Sequence, residues 1–546
     1  MPLGAVTDLA ARPTPVVLLI LDGWGLSPAW GGNAIGIANP PTFNYLWAHY
    51  PHTVLQTFQR VRAPDGSVGS SEIGHASLGS GRIVAHELTE INLLIGNGQF
   101  FENEVLQTTF QSARDARQSV HLIGLLSEGG IHGSTSHAQA LVRMAKQQGV
   151  ERLFLHPIID GRDSTTYGAL NQIEQLEHTL HIEGIGQIAT LLGRFYGLDR
   201  DQRWDRTEVA LQALVSGSPR HAPSPQAALA TAYREGFDDE HLPPTIIAAP
   251  APHPSSDSRI RAGDSLIFWN FRADRARQLV QALLDPQVLR RFGFFRKYPV
   301  LPVRVATMTD YHLPLPGLMV AYPRSVIEST LGQLLANHSF TQLHVAESEK
   351  SAHVTYFFNG GRVEPYPAED RIIVRSPRVL RYDTVPAMSA ATVTKVVEQA
   401  ITRRSHDFIV ANYANVDLLG HTGNLAATVQ AVLVVDEALR RIANAIISVG
   451  GVLMVTADHG NAESVVTLVK GDRETLHSAN PVPFIYVASA AKRASPVQSD
   501  IPARSVVRSL LQTDRTLADV APTILELFGI PKPSDMTGTS LTEFLE

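Results

Sequence analysis

A chain of 546 residues exceeds what one hydrophobic core organises, and with 44% hydrophobic residues it can bury at least two. Its formal net charge of −6 supplies none of the global basic field that nucleic-acid binding draws on, so an anionic ligand would need local arginines. The absence of cysteine excludes disulfides, thiolate metal sites and a cysteine nucleophile.

The first fifteen residues lack a basic leader, and the apolar run VVLLIL is too short for a signal core or a membrane span. A soluble, cytoplasmic protein is expected. That run, Val16 to Leu21, shows no alternation, which predicts a strand buried on both faces of a parallel sheet and ending at Asp22-Gly23. The stretch SVGSSEIGHASLGSGR, Ser67 to Arg82, reads as a glycine-rich turn in which Ser70 or Ser71 could be a nucleophile. Further strands are predicted at Val120 to Leu126, Arg152 to Ile159 and Leu266 to Phe271, with arginine-rich loops GRFYGLDRDQRWDR and NFRADR nearby. In the C-terminal part, DFIVANY leads to Asp417, VLMVTADHG ends in Asp458-His459, and PFIYVA follows His477. Helices are predicted over Leu425 to Val449 and Thr516 to Leu527, so the class is α/β.

Ligands of open α/β sheets bind beyond the carboxyl ends of strands, and Asp22, Asp417, His421, Asp458, His459 and His477 recur at that edge. Each alone is more often a turn, cap or loop residue. Together they offer mixed oxygen and nitrogen donors for two divalent ions, a set suited to Mn²⁺ or Zn²⁺ and less to Mg²⁺. Serine needs such an activator, because its hydroxyl is a poor nucleophile at neutral pH.

With these segments beside it, GSSEIGHASLGSGR, together with LLILDGWG, EGGIHG, HPIIDGRDS, IFWNFRADR, VAESEKSAHVTYFFNGG, SPRVLRYDTVPAMSA, ANVDLLGH, VTADHGNAE and HSANPVPF, closely resembles the cofactor-independent phosphoglycerate mutases of the alkaline phosphatase superfamily. The resemblance implies a discontinuous alkaline-phosphatase-like α/β domain, 1–86 and 320–546, with a second α/β transferase domain inserted at 87–319. It implies interconversion of 3- and 2-phosphoglycerate in glycolysis through phosphoserine on Ser71, without 2,3-bisphosphoglycerate. It places one Mn²⁺ on Asp417, His421 and His477 and another on Asp22, Ser71, Asp458 and His459, with Mg²⁺, Zn²⁺ or Co²⁺ as substitutes. Lys350 would reach the phosphate. His132, Arg162, Asp163, Arg194, Arg200, Arg272 and Arg275 would bind the substrate, with Asp163 as general acid and base. The implied protein is a monomer whose partner is a small molecule, with no nucleic acid and no membrane.

Two positions leave the family pattern. Ser70 stands where asparagine is usual, and Ser134 where a second histidine follows the first. A metal-dependent phosphatase or phosphopentomutase of the same superfamily, or an inactive metal-binding scaffold, is the competing expectation.

Overall fold

The computed structural model describes residues 14–28, 31–57, 70–84, 87–247, 258–293, 301–323, 326–379, 381–466, 473–496 and 514–544. The first dozen residues, Ser67 of the glycine-rich stretch and most of Ala490 to Thr513 lie outside them. The chain divides into two compact units, one drawing on the described residues up to 84 and from 326 onward, the other on 87–323.

The first unit is built on a seven-stranded sheet in the order Glu369–Val374, Gln342–Glu347, Phe408–Tyr413, Val16–Leu21, Val452–Thr456, Val482–Val487, His52–Leu55. Val16–Leu21 sits at its centre, paired in parallel with Phe408–Tyr413 and Val452–Thr456, and all six of its residues are buried. That is why its sequence is uniformly apolar. The sheet is mixed, because Val482–Val487 runs antiparallel to Val452–Thr456. The reversal matters for the site: residues that precede Val482–Val487 share an edge with residues that follow the parallel strands. The long helix Leu425–Val449 is capped by Asn424, whose side chain accepts from the Ala427 amide, and ends at Gly450 in the left-handed conformation. The predicted helix from Thr516 begins as a tight turn, Leu517–Asp519, closed by a Thr516/Asp519 capping box, and continues as Val520–Leu527.

The glycine-rich stretch is the main correction. From Ser71 to Ser80 it is a helix, with Ser70 as N-cap accepting from the Ile73 amide at 3.4 Å and Glu72 in the first turn. Its glycines serve close packing more than flexibility: a Cβ on Gly74 would lie 2.6 Å from the Asp458 carbonyl oxygen.

The second unit carries a nine-stranded sheet whose main path runs Leu318–Tyr322, Arg304–Thr309, Ser265–Phe268, Val120–Leu126, Leu153–Ile159, Thr190–Gly193, Thr245–Ile247, His221–Ala222. The sequence places a strand end at Phe271, but the strand stops at Phe268, and the side chain of Asn270 turns inward to accept the Leu125 amide. Leu318–Tyr322 pairs with Arg304–Thr309, so this unit extends past residue 320.

Inside this sheet, His156 Nδ1 lies 2.9 Å from Thr190 Oγ1, His156 Nε2 2.9 Å from His121 Nδ1, and His121 Nε2 3.1 Å from Asp264 Oδ2. Asp264 as acceptor orders the whole chain of bonds: His121 donates to it, His156 donates to His121, and Thr190 donates to His156. Both histidines are buried, and burial pushes their pKa values down. Below the unfolded histidine value near 6.5 the unfolded chain therefore binds more protons, and stability falls with pH. Thermal unfolding of this unit is expected to lose up to about 1.4 kcal/mol per pH unit for each such histidine from pH 6.5 toward 5. His156→Gln is expected to flatten that acid limb; an unchanged limb contradicts this reading.

Candidate active site at the carboxyl edge of the first sheet

Each strand delivers its residue to the same edge. Asp22 follows Val16–Leu21, and Asp458 and His459 follow Val452–Thr456. Asp417 lies on the short helix Asn415–Gly420 after Phe408–Tyr413, with His421 closing that helix, so the D-x-x-x-H spacing spans one helical turn. His477 precedes the antiparallel strand Val482–Val487 and reaches the edge from the other direction. The strand Gln342–Glu347 ends in a tight turn, Ser348–Lys350, that buries Lys350.

These side chains converge. Ser71 Oγ lies 2.7 Å from His459 Nε2 and 3.4 Å from Asp22 Oδ1, and accepts from Lys350 Nζ at 2.7 Å. Lys350 Nζ also donates to Asp22 Oδ1 at 2.9 Å and to Asp417 Oδ2 at 2.7 Å. On the far side of Asp417, His421 Nε2 and His477 Nε2 both sit 3.3 Å from Oδ1 and 3.0 Å from each other. The His459 and His477 rings stack at 3.7 Å. Ser71, Asp22, Asp458 and His459 form a buried half, whereas the His421 side chain is 39% exposed and marks the open side.

The electrostatics are unbalanced. Asp22, Asp417 and Asp458 are all buried, and among the described residues Lys350 is the one ammonium that pairs with them. Burial alone would pull Lys350 down, but Asp22, Asp417 and Asp458 raise its pKa well above the ordinary value, so it stays charged. Burial pushes Asp22 up, reinforced by Asp458. Asp417 is held well below the usual carboxylate range, because Lys350, His421 and His477 outweigh its burial. Asp458 Oδ2 has no hydrogen-bond partner although it is buried, and His75 Nδ1 stands 3.2 Å from it. An orphaned buried carboxylate oxygen, excess negative charge and two imidazole nitrogens facing each other at 3.0 Å form a donor set fit for divalent cations. Two clusters have ligand atoms within 4.8 Å of one another: Asp22, Asp458 and His459, and Asp417, His459 and His477. His459 thus borders both, where the family resemblance implies only one.

Sequence reading missed several residues that hold this edge. His75 Nδ1 lies 2.8 Å from the Ser71 carbonyl oxygen, and Asn412 Nδ2 donates to Asp22 Oδ2 at 2.7 Å. His353 packs against His75, and burial drives its pKa down to about 2. His75 and His353 lie inside the quoted motifs SSEIGH and EKSAHVT, but nothing in their spacing announces a supporting role.

The arginine loops assemble separately in the second unit. Arg194 Nη1 forms ion pairs with Asp160 and, at 2.7 Å, with Asp163 Oδ2. Arg200 donates to Asp274 Oδ2 at 2.7 Å; His132 Nδ1 and Arg272 Nε lie 3.3 and 3.6 Å from Asp274 Oδ1. Arg162 pairs with Glu240 at 2.8 Å. Burial, then the charges of Arg194, Arg200 and Arg162, lowers the Arg275 pKa, and its buried Nε has no hydrogen-bond partner. Asp160 and Asp274, the anchors here, stand in the DGRD and NFRADR motifs, where the sequence draws the eye to the arginines and to Asp163. Ser134 begins the helix Thr135–Gln147, with its hydroxyl 2.7 Å from that of Ser136.

Comparison with known proteins agrees in one direction. Residues 91–313 match the family model described as BPG-independent PGAM N-terminus. The 2,3-bisphosphoglycerate-independent phosphoglycerate mutase of Acaryochloris marina is 44% identical over 97% of this chain and 96% of its own. The chain belongs to the 2,3-bisphosphoglycerate-independent phosphoglycerate mutases. The mutase of that name from Thermomicrobium roseum is likewise 44% identical, over 97% of this chain and 98% of its own. Among solved structures, Leishmania mexicana phosphoglycerate mutase, crystallised at low cobalt concentration, superposes with a TM-score of 0.67 at 28% identity, covering 97% of each chain. As a phosphoglycerate mutase of this family the protein is an isomerase, and its α/β class is that of the Leishmania enzyme. Among the described residues no helix is long and apolar enough to cross a membrane.

Proposed function

We propose that the chain interconverts 3-phosphoglycerate and 2-phosphoglycerate, with Ser71 carrying the phosphoryl group between the two positions. The observation that carries this reading is Ser71 Oγ, buried at a helix start and held 2.7 Å from both Lys350 Nζ and His459 Nε2. The Ser71 oxygen attacks phosphorus as its alkoxide, the bond from phosphorus to the glycerate O3 breaks with its electron pair staying on O3, and glycerate leaves once O3 has taken up a proton from the general acid. The Lys350 ammonium, donating to Ser71 Oγ, favours its deprotonated form and then faces the phosphoryl oxygens. Reversal with the 2-hydroxyl as attacker returns the phosphoryl group and frees Ser71. Asp417, His421 and His477 would hold one divalent ion and Asp22, Ser71, Asp458 and His459 a second, Mn²⁺ being favoured by the mixed carboxylate and imidazole donors. Such ions would supply Lewis acidity to the serine oxygen and the phosphate.

The first unit is read as the phosphatase-like domain and the second as the transferase domain that retains glycerate while it turns. In the second unit His132, Arg162, Arg194, Arg200, Arg272 and Arg275 hold carboxylate and phosphate, and Asp163 exchanges the proton of the reacting hydroxyl. Arg275→Lys is expected to raise KM for phosphoglycerate about 10-fold with stability within about 0.5 kcal/mol, because a lysine cannot present the fork. An unchanged KM places Arg275 outside the substrate site.

Purified protein given 3-phosphoglycerate and Mn²⁺, with no 2,3-bisphosphoglycerate, is expected to form 2-phosphoglycerate. Inorganic phosphate as the main product would make the chain a phosphatase, and no turnover with any divalent metal would make it a scaffold.

A further inference from the structure

Glu463 is fully buried, 1% exposed, in the VTADHGNAE segment, and no cation pairs with it among the described residues. Its carboxylate is saturated by neutral donors from three separate stretches of chain. Oε2 accepts from the Gly25 amide at 3.0 Å and from the Asn461 amide at 2.9 Å. Oε1 accepts from the Ser478 hydroxyl and, at 3.0 Å, from Asn480 Nδ2. A carboxylate offers about four lone-pair directions, so this one has none left for a ligand. Each donor lies within a few residues of a proposed metal ligand: Gly25 follows Asp22, Asn461 follows Asp458 and His459, and Ser478 follows His477. Asn461 extends the network to the fourth loop by donating from Nδ2 to Asp417 Oδ1 at 2.9 Å. The surrounding backbone is shaped to the carboxylate: a Cβ on Gly25 or Gly460 would lie 2.3 Å from a Glu463 oxygen.

We infer that Glu463 is a positioning residue that fixes the spacing of the metal-bearing loops, setting the affinity of the whole centre without touching metal or substrate. The inference rests on reading this edge as a metal centre. Three otherwise independent loops share one anchor, so a fault there loosens every ligand pair at once. Glu463→Gln keeps the size of the side chain but turns an amide NH₂ toward two donors, leaving buried groups unmatched. Outer-shell partners of metal ligands typically tune affinity by about 10- to 100-fold.

The test titrates Co²⁺ into the metal-stripped full chain, following its visible absorption and, separately, the metal concentration giving half-maximal turnover. Glu463→Gln is expected to weaken Co²⁺ binding about 10- to 100-fold and to recover kcat at saturating metal, with KM for phosphoglycerate unchanged. Ser478→Ala, which removes one donor, is expected to shift both readouts in the same direction by a smaller factor. If Glu463→Gln fails to unfold cooperatively, Ser478→Ala carries the test. Wild-type Co²⁺ affinity in the folded variants overturns the inference, as does lost turnover that no metal concentration restores. A wild-type chain that binds no Co²⁺ overturns the metal reading itself, before any substitution is made.

Discussion

Ser71→Ala lowers turnover by on the order of 10⁴-fold or more while the protein still unfolds cooperatively, whereas Ser70→Ala leaves a measurable rate. The difference follows from where the two hydroxyls point. Ser71 Oγ faces Lys350, His459 and Asp22, so its loss removes the phosphoryl acceptor itself. Ser70 Oγ accepts from the Ile73 amide and caps the helix, so its loss costs about 1 kcal/mol of stability. Steady-state kinetics and thermal unfolding of both variants decide the matter. An active Ser71→Ala enzyme beside a dead Ser70→Ala enzyme would mean that the nucleophile is Ser70.

Lys350→Met destabilises the metal-free protein by about 3–5 kcal/mol, because it removes the ammonium that lies between Asp22 and Asp417 and leaves buried carboxylates facing one another. Excess Mn²⁺ shrinks that deficit, since added cations take over the neutralisation. Turnover stays about 10²- to 10³-fold down even at saturating metal, because the charge beside Ser71 Oγ is still missing. Unfolding in chelator and in excess Mn²⁺ separates the two effects. An equal deficit under both conditions would show that Lys350 and the metals do not share the same carboxylates.

The fold was most legible where burial leaves the sequence no alternative. Val16 to Leu21 must be apolar on both faces because it lies between two parallel neighbours, and helix Leu425–Val449 carries its cap and its terminal glycine in the sequence itself. Local composition favours a turn over the glycine-rich stretch, and it takes the proximity of Asp458 to Gly74 and of Phe358 to Gly79 to explain glycine inside a helix. The direction of Val482–Val487 was equally hidden, since an apolar run does not state its polarity, yet that direction is what brings His477 to the edge. For the site, Asp22, Asp417, His421, Asp458, His459 and His477 are readable from the residues as a constellation, whereas the choice of Ser71 over Ser70 and the role of Lys350 come only with the family resemblance. Glu463, Asn412, His75 and Asp160 act through hydrogen bonds to distant segments, His75 through its Nε2 contact with Asn412, and no spacing along the chain encodes such a partner.

The central claim is that the phosphoryl group resides on Ser71 between the two isomers. Brief incubation of the metal-loaded enzyme with phosphoglycerate, acid quenching and peptide mapping by mass spectrometry tests it directly. The account predicts one phosphoryl group on the peptide containing Ser71, fragment ions placing it on that serine, and no such species in Ser71→Ala. Phosphate located on Ser70, or continued isomerisation by an enzyme that never becomes phosphorylated, would contradict it.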